Sequence, residues 1–317
     1  MREARLEGQI LPWRDVLHDG PVPGGLSLHE LSRVRAEYLA AQGWGERQDT
    51  EREFAHRDGQ LERFTEFQSV VLWFEWDLYD QLQLAQLLDF FAGKAGTDGK
   101  LPQLEIVSVA GYLGNLPAAR FRELYEKRGE VDSAMLSLGR AAWQTVTSSD
   151  PRDVSKILAG DTSALPFLRG ALTRFLEELP WQRDGLSRSE RQLAEGIAAG
   201  ASGFGDVFQA AAAREERIYC GDASAALYLK RLATGAAPLV SFTSNGTRMA
   251  SSGANTRALF DAELSLTDTG GAVLKGDLDW IELGGSDRWL GGVHLDGASA
   301  AWRWDAARGA VREARTA

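Results

Sequence analysis

The sequence predicts an α/β fold: a Rossmann-like N-terminal part with a mostly parallel sheet, an α-helical stretch, then a winged-helix-like or α+β C-terminal part. Three observations lead there. Val70-Val71-Leu72-Trp73-Phe74 is an unbroken apolar run, the mark of a strand covered on both faces. Strand and helix patterns alternate through the first 130 residues, as helices covering a sheet require. The chain is 317 residues long, 44% hydrophobic and 25% charged, which gives enough apolar surface for two or three domains. The expected boundaries are 1–130, 131–180 and 181–317.

Gln9 to Trp13 reads as a short strand, followed by a turn-rich loop, His18 to Gly25. Ser27 and Glu30 form a capping box that opens a helix to about Gln42. Residues 49–66 have sparse apolar positions, which suggests exposed helix. The 70–74 strand stops at Glu75, where Asp77 or its neighbour caps an amphipathic helix from Leu78 to Phe91, ended by Gly93. Leu104 to Val109 is a second strand, and Pro117 opens a helix to Lys127. From Asp132 to Pro180 the pattern is helical, interrupted at Asp150-Pro151 and Gly160. Ser187 and Glu190 form another capping box, and a second helix at 206–215 follows a glycine-rich turn, a helix-turn-helix-like spacing. Residues 238–305 read as hairpins, with Thr269-Gly270-Gly271-Ala272 as a turn and strands near 278–283, 289–295 and 300–304. The segment 243–256 reads as a loop and the last dozen residues as frayed.

Charge and cysteine content narrow the functions. Residues 1–150 carry 16 Lys+Arg against 24 Asp+Glu, whereas 181–317 carry 15 against 17. An acidic N-terminal half repels a phosphate backbone, so any DNA contact belongs later in the chain. The single cysteine, Cys220, excludes an internal disulfide and a multi-thiolate zinc site. It points to a reducing cytoplasm. No apolar run approaches the ~20 residues that span a bilayer, and no signal-peptide core follows Met1.

The segments WRDVLHDGPVP (13–23), LWFEWDLYDQLQL (72–84), LPFLRGALTRFLEELP (165–180), GLSRSERQLAEGI (185–197) and DRWLGGVHL (287–295) together resemble a bacterial family known as domain of unknown function 1835, in its longer form. The resemblance covers most of the chain and brings no established activity. It implies that a strand of the type L-H-I-x-x-G-D-S precedes the segment before WRD, so a first strand and its Gly-Asp turn are expected upstream of Met1.

Ligands of open parallel sheets bind outside the carboxyl ends of strands. Arg14, Asp15, His18 and Asp19 follow the first expected strand, and Glu75, Asp77 and Asp80 follow the second. A histidine among carboxylates suits general base chemistry or a divalent ion. Equally, Asp15 and Asp77 suit caps, Arg14 an ion pair and His18 a loop anchor. Asp287, Arg288 and His294 form a second candidate, with Arg288 on an anion. Arg183, Arg188 and Arg191 are the nucleic-acid candidates, but the following helix offers only Gln209 and Arg214 for base readout, so DNA is disfavoured. There is no P-loop, no G-x-G-x-x-G and no G-x-S-x-G elbow, and no cofactor is indicated. The expectation is a protein that binds a small polar ligand, such as a nucleotide, at the N-terminal sheet, with a C-terminal effector part. A metal-assisted hydrolase or transferase using the same residues is the alternative, and a DNA-binding regulator a further one.

Overall fold

The computed structural model describes residues 6–95, 102–244, 247–248 and 256–314. Two strands lie side by side in parallel, β2 (Ser69–Glu75) and β3 (Gln103–Val109), in a register that pairs Glu75 with Val109. The fold is α/β with eleven helices and several small mixed sheets among the described residues. Only β4 (Gly129–Glu130) extends the β2–β3 pair, and it is antiparallel. In β2, Leu72 and Phe74 are buried while Trp73 is half-buried against Phe121 of α4 (Ala118–Glu126), so its two faces are covered unequally.

Several of the expected helices start at a side-chain cap, whereas α4 and the helix at Phe204–Ala212 have none. Ser27 accepts from the Glu30 amide and Glu30 reaches back to Ser27 at the start of α1 (Leu28–Ala41). On α2 (Arg47–Glu62), expected to be exposed, Phe54, Arg57, Asp58 and Leu61 turn inward. Helix α3 (Leu78–Ala95) runs past Gly93 and packs on α5 (Ser133–Val146) and α7 (Leu168–Leu176) around the larger core, with α6 (Arg152–Ala159) between these last two in sequence.

A second core joins α8 (Arg188–Ala198), α9 (Phe204–Ala212) and α10 (Asp222–Ala233) to β5 (Val240–Ser244) and β7 (Glu263–Leu266). These strands are antiparallel neighbours, β6 (Thr247–Arg248) flanks β5, and Gly203 bridges to Glu263. Ser187 and Glu190 form the capping box the sequence announces.

Some expectations are overturned. Residues 9–13 form no strand: Ile10 is exposed, Pro12 lacks a donor, and Trp13 is held instead by Gln86 and the Arg57 guanidinium. The strand in this region is β1 (Gly20–Pro21), which pairs in parallel with β8 (Asp287–Gly291). The expected turn at 269–272 lies inside α11 (Asp268–Lys275), because Thr267 caps it by accepting from the Gly270 amide. Gly270 serves a close approach: a Cβ there would lie 2.1 Å from the Leu239 carbonyl oxygen. Residues 278–283 are turns rather than a strand. Where one strand is expected at 289–295 the chain forms two, β8 and the antiparallel β9 (Val293–Asp296), because it reverses at Gly291-Gly292, with Gly291 at a φ of 59°. The strand β10 (Trp302–Asp305) forms as read, and β11 (Ala310–Glu313) pairs with β10 inside the stretch expected to fray. Much of the 243–256 loop lies outside the described residues. No described helix is long and apolar enough to cross a membrane.

Candidate functional site

Of the residues after the first expected strand, Asp15 and Asp19 are buried in an ion-pair network and His18 is buried beside them. Arg35, 1% exposed, donates to both Asp15 carboxylate oxygens and to the carbonyls of Val16, Asp19 and Pro21, tying the 15–21 loop into a fixed curl. Asp19 accepts from Arg231 of α10 at 2.8 Å and from the Tyr38 hydroxyl at 3.0 Å. Burial pushes the Asp19 carboxyl up, but the Arg231 charge and hydrogen bond prevail and hold it below its usual range. His18 sits edge-on to Tyr79 and Tyr219, and neither ring nitrogen has a hydrogen-bond partner among the described residues. Burial lowers its pKa to about 4, so the ring is neutral. Arg14 is exposed, with no ion pair among the described residues.

Glu75, Asp77 and Asp80 converge at the carboxyl end of β2, each offering an oxygen within 4.8 Å of the others. The local fold explains the convergence. Asp77 caps α3 by accepting from the Asp80 amide at 3.1 Å, which places both acids on the first turn. Glu75 is held by the Leu113 amide at 2.7 Å, and Gln81 donates to its carbonyl. Burial and then the neighbouring Asp77 charge push the Asp80 carboxyl up to about 7. Burial is also the main cause that raises Glu75 and Asp77.

Arg217 partly offsets the charge at Asp77. Its guanidinium lies over the Trp76 ring at 4.9 Å and donates to the carbonyls of Trp76 and Phe167. Tyr79 separates the acidic group from the buried network: it flanks His18, and its hydroxyl feels the charges of Asp15, Asp80 and Arg14. Six of the seven residues therefore form two neighbouring groups rather than one, Arg14 stands outside both, and His18 is not part of the acidic cluster. A cleft of about 260 Å³ adjoins Gln81, bounded also by Leu84, Ile106, Ser108, Lys127 and Leu165.

The other candidates are placed differently. On the β8–β9 hairpin His294 pairs with Asp287 at 2.6 Å in solvent, whereas Arg288 points inward to the Glu178 carbonyl and toward Glu190. Of the arginines considered for nucleic acid, Arg183 donates to the carbonyls of Leu274 and Lys275. Arg188 binds Glu177 and Glu216, and Arg191 binds Asp184.

Several residues that organise this region were not singled out from sequence. Arg174 binds Glu178 at 2.6 Å, Glu215 at 2.7 Å and Ser189 at 2.9 Å. Only its i,i+4 spacing to Glu178 was a readable signal. Arg35, Arg217 and Arg231 act across 14 to 212 residues of chain, and no local pattern marks such pairs.

An oxygen-only trio of carboxylates suits a hard divalent cation or an ammonium group, and it disfavours a bare phosphate. No family model, curated protein or solved structure matches this chain.

Proposed function

We propose that the protein binds a small polar ligand at Glu75, Asp77 and Asp80 and passes the bound state to its C-terminal part. In this reading the β2–β3 pair with α3 is the Rossmann-like element. In the same reading α8, the Gly203 bridge, α9, α10, β5 and β7 make up the winged-helix-like module. The observation that carries the reading is Arg217. It stands in the 213–221 connection between α9 and α10, yet it is anchored on Trp76 and Phe167 beside Asp77. A cation at the acidic trio replaces the partial neutralisation Arg217 supplies, so binding alters the force on that connection. For a nucleotide ligand, Glu75, Asp77 and Asp80 would hold a divalent cation that offsets the phosphate charge. The resemblance to domain of unknown function 1835 belongs to the same reading.

A metal-assisted hydrolase or transferase is the second reading. The observation favouring it is the carboxylate trio itself, whose oxygen-only donor set would hold a metal able to activate a water molecule. The test is calorimetric titration of Mn²⁺ alone and of Mn²⁺ with ATP into the full chain. Binding that disappears in Asp77→Asn and survives Arg217→Gln supports the site. Absence of heat and of any melting shift with either probe overturns it, and phosphate release would favour the catalytic reading.

A further inference from the structure

The β8–β9 hairpin carries an arrangement that the reading above does not use. Its register sets Asp287 opposite Asp296 and Trp289 opposite His294, so all four side chains share the outer face, while Arg288, Leu290, Val293 and Leu295 are buried on the inner one. Two like charges directly opposite each other on neighbouring strands are destabilising. No Lys or Arg offsets this pair among the described residues; the only partner is the His294 ring, bonded to Asp287 at 2.6 Å. His294 is also the sole histidine after residue 56. We propose that Asp287, His294 and Asp296 form a divalent transition-metal site of the zinc class.

Three features support a site over an incidental ion pair. One imidazole nitrogen and two carboxylate oxygens lie within 4.8 Å of one another, a span a single ion can draw together. The mixed nitrogen and oxygen set selects zinc, cobalt, nickel or copper over magnesium or calcium, unlike the oxygen-only trio at Glu75. The ligands also stand on a fixed platform. The Trp289 ring lies nearly parallel to the His294 ring, 13° between planes and 4.6 Å between centroids, which limits rotation of the imidazole. The hairpin turn is docked on the end of α5, with the Gly292 amide donating to the Val146 carbonyl at 2.9 Å, and β8 is flanked by β1 as well as β9. Three protein ligands leave coordination positions open to solvent, so the site would accept a further group from water or from another molecule. It is empty of any arginine: the side chain expected to make this an anion site, Arg288, is on the opposite face.

The test is isothermal titration of Zn²⁺ into chelator-treated full-length protein, with Co²⁺ absorption as a second readout. One ion per chain is expected at this hairpin, with binding weakened at least about tenfold by His294→Ala. Asp296→Asn gives a sign reversal: without metal it raises the melting temperature by removing the like-charge pair, and with Zn²⁺ it abolishes the metal's stabilisation. Both residues are exposed, so the variants fold. Unchanged Zn²⁺ affinity in His294→Ala, or a Co²⁺ spectrum insensitive to it, overturns the proposal. Asp77→Asn leaves this site intact, so its failure is separable from that of the Mn²⁺ site.

Discussion

Asp80 and His18 respond to pH in opposite directions, and the signs follow from which state holds the proton. Burial and the Asp77 charge raise the Asp80 carboxyl from an ordinary 3.8 to about 7. Between those values the folded chain keeps a proton the unfolded chain has lost, so Asp80 makes stability fall as pH rises through that window. Asp80→Asn should raise the melting temperature at pH 8 and leave it nearly unchanged at pH 4. A rise equal at both pH values in scanning calorimetry would refute this account. Burial lowers the His18 ring from 6.5 to about 4, so here the unfolded chain binds the proton first. That contribution is complete above 6.5 and is lost as pH falls toward 4, a loss on the order of 3 kcal/mol in all. His18→Leu should flatten the acid limb of the stability curve. An acid limb of unaltered slope in urea titrations would show that other groups produce it.

At the scale of elements, the tight turn of the β8–β9 hairpin depends on closeness rather than on turn propensity alone. A Cβ at Gly292 would lie 2.0 Å from the Thr147 carbonyl oxygen, and at Gly291, where φ is 59°, 2.3 Å from that of Val146. Gly292→Ala should therefore lift the hairpin from α5 and cost about 1–3 kcal/mol, read from the denaturation midpoint; a cost near zero would mean the turn is free to shift. What sequence revealed follows the same division between local and distant causes. Capping boxes at Ser27 and Ser187, the apolar period of α3 and the run at 70–74 were legible because each depends on neighbours within a few residues. The turn expected at Gly270-Gly271 does not form because Thr267 caps a helix there and Gly270 allows a close approach to Leu239, distant in sequence. The candidate site was legible in half. Glu75, Asp77 and Asp80 lie on one strand end and one helix turn, whereas the burial of Asp15 and Asp19 depends on Arg35 and Arg231.

Across the whole molecule, the N-terminal half and the second core meet along a seam of buried charges. Arg231 of α10 reaches Asp19, and Arg174 of α7 reaches Glu215. Cys220 packs against both cores, so the single thiol reports on the seam. Its burial pushes the thiol's pKa up and slows its reaction with electrophiles. Removing one member of a buried pair strands the other charge and costs about 3–5 kcal/mol, while removing both is far milder. Asp19→Asn or Arg231→Met alone should thus loosen α10 and speed maleimide labelling of Cys220, and the double variant should return toward the wild-type rate. Equal rates in all four proteins would show that the seam is held by apolar contact and that its charges do not govern opening. The same reporter reaches the functional reading: if Arg217 couples the acidic trio to the 213–221 connection, Mn²⁺ changes the labelling rate of the wild type and leaves that of Asp77→Asn unaltered. A wild-type rate indifferent to saturating Mn²⁺ would separate binding from transmission and confine the ligand's effect to the N-terminal half.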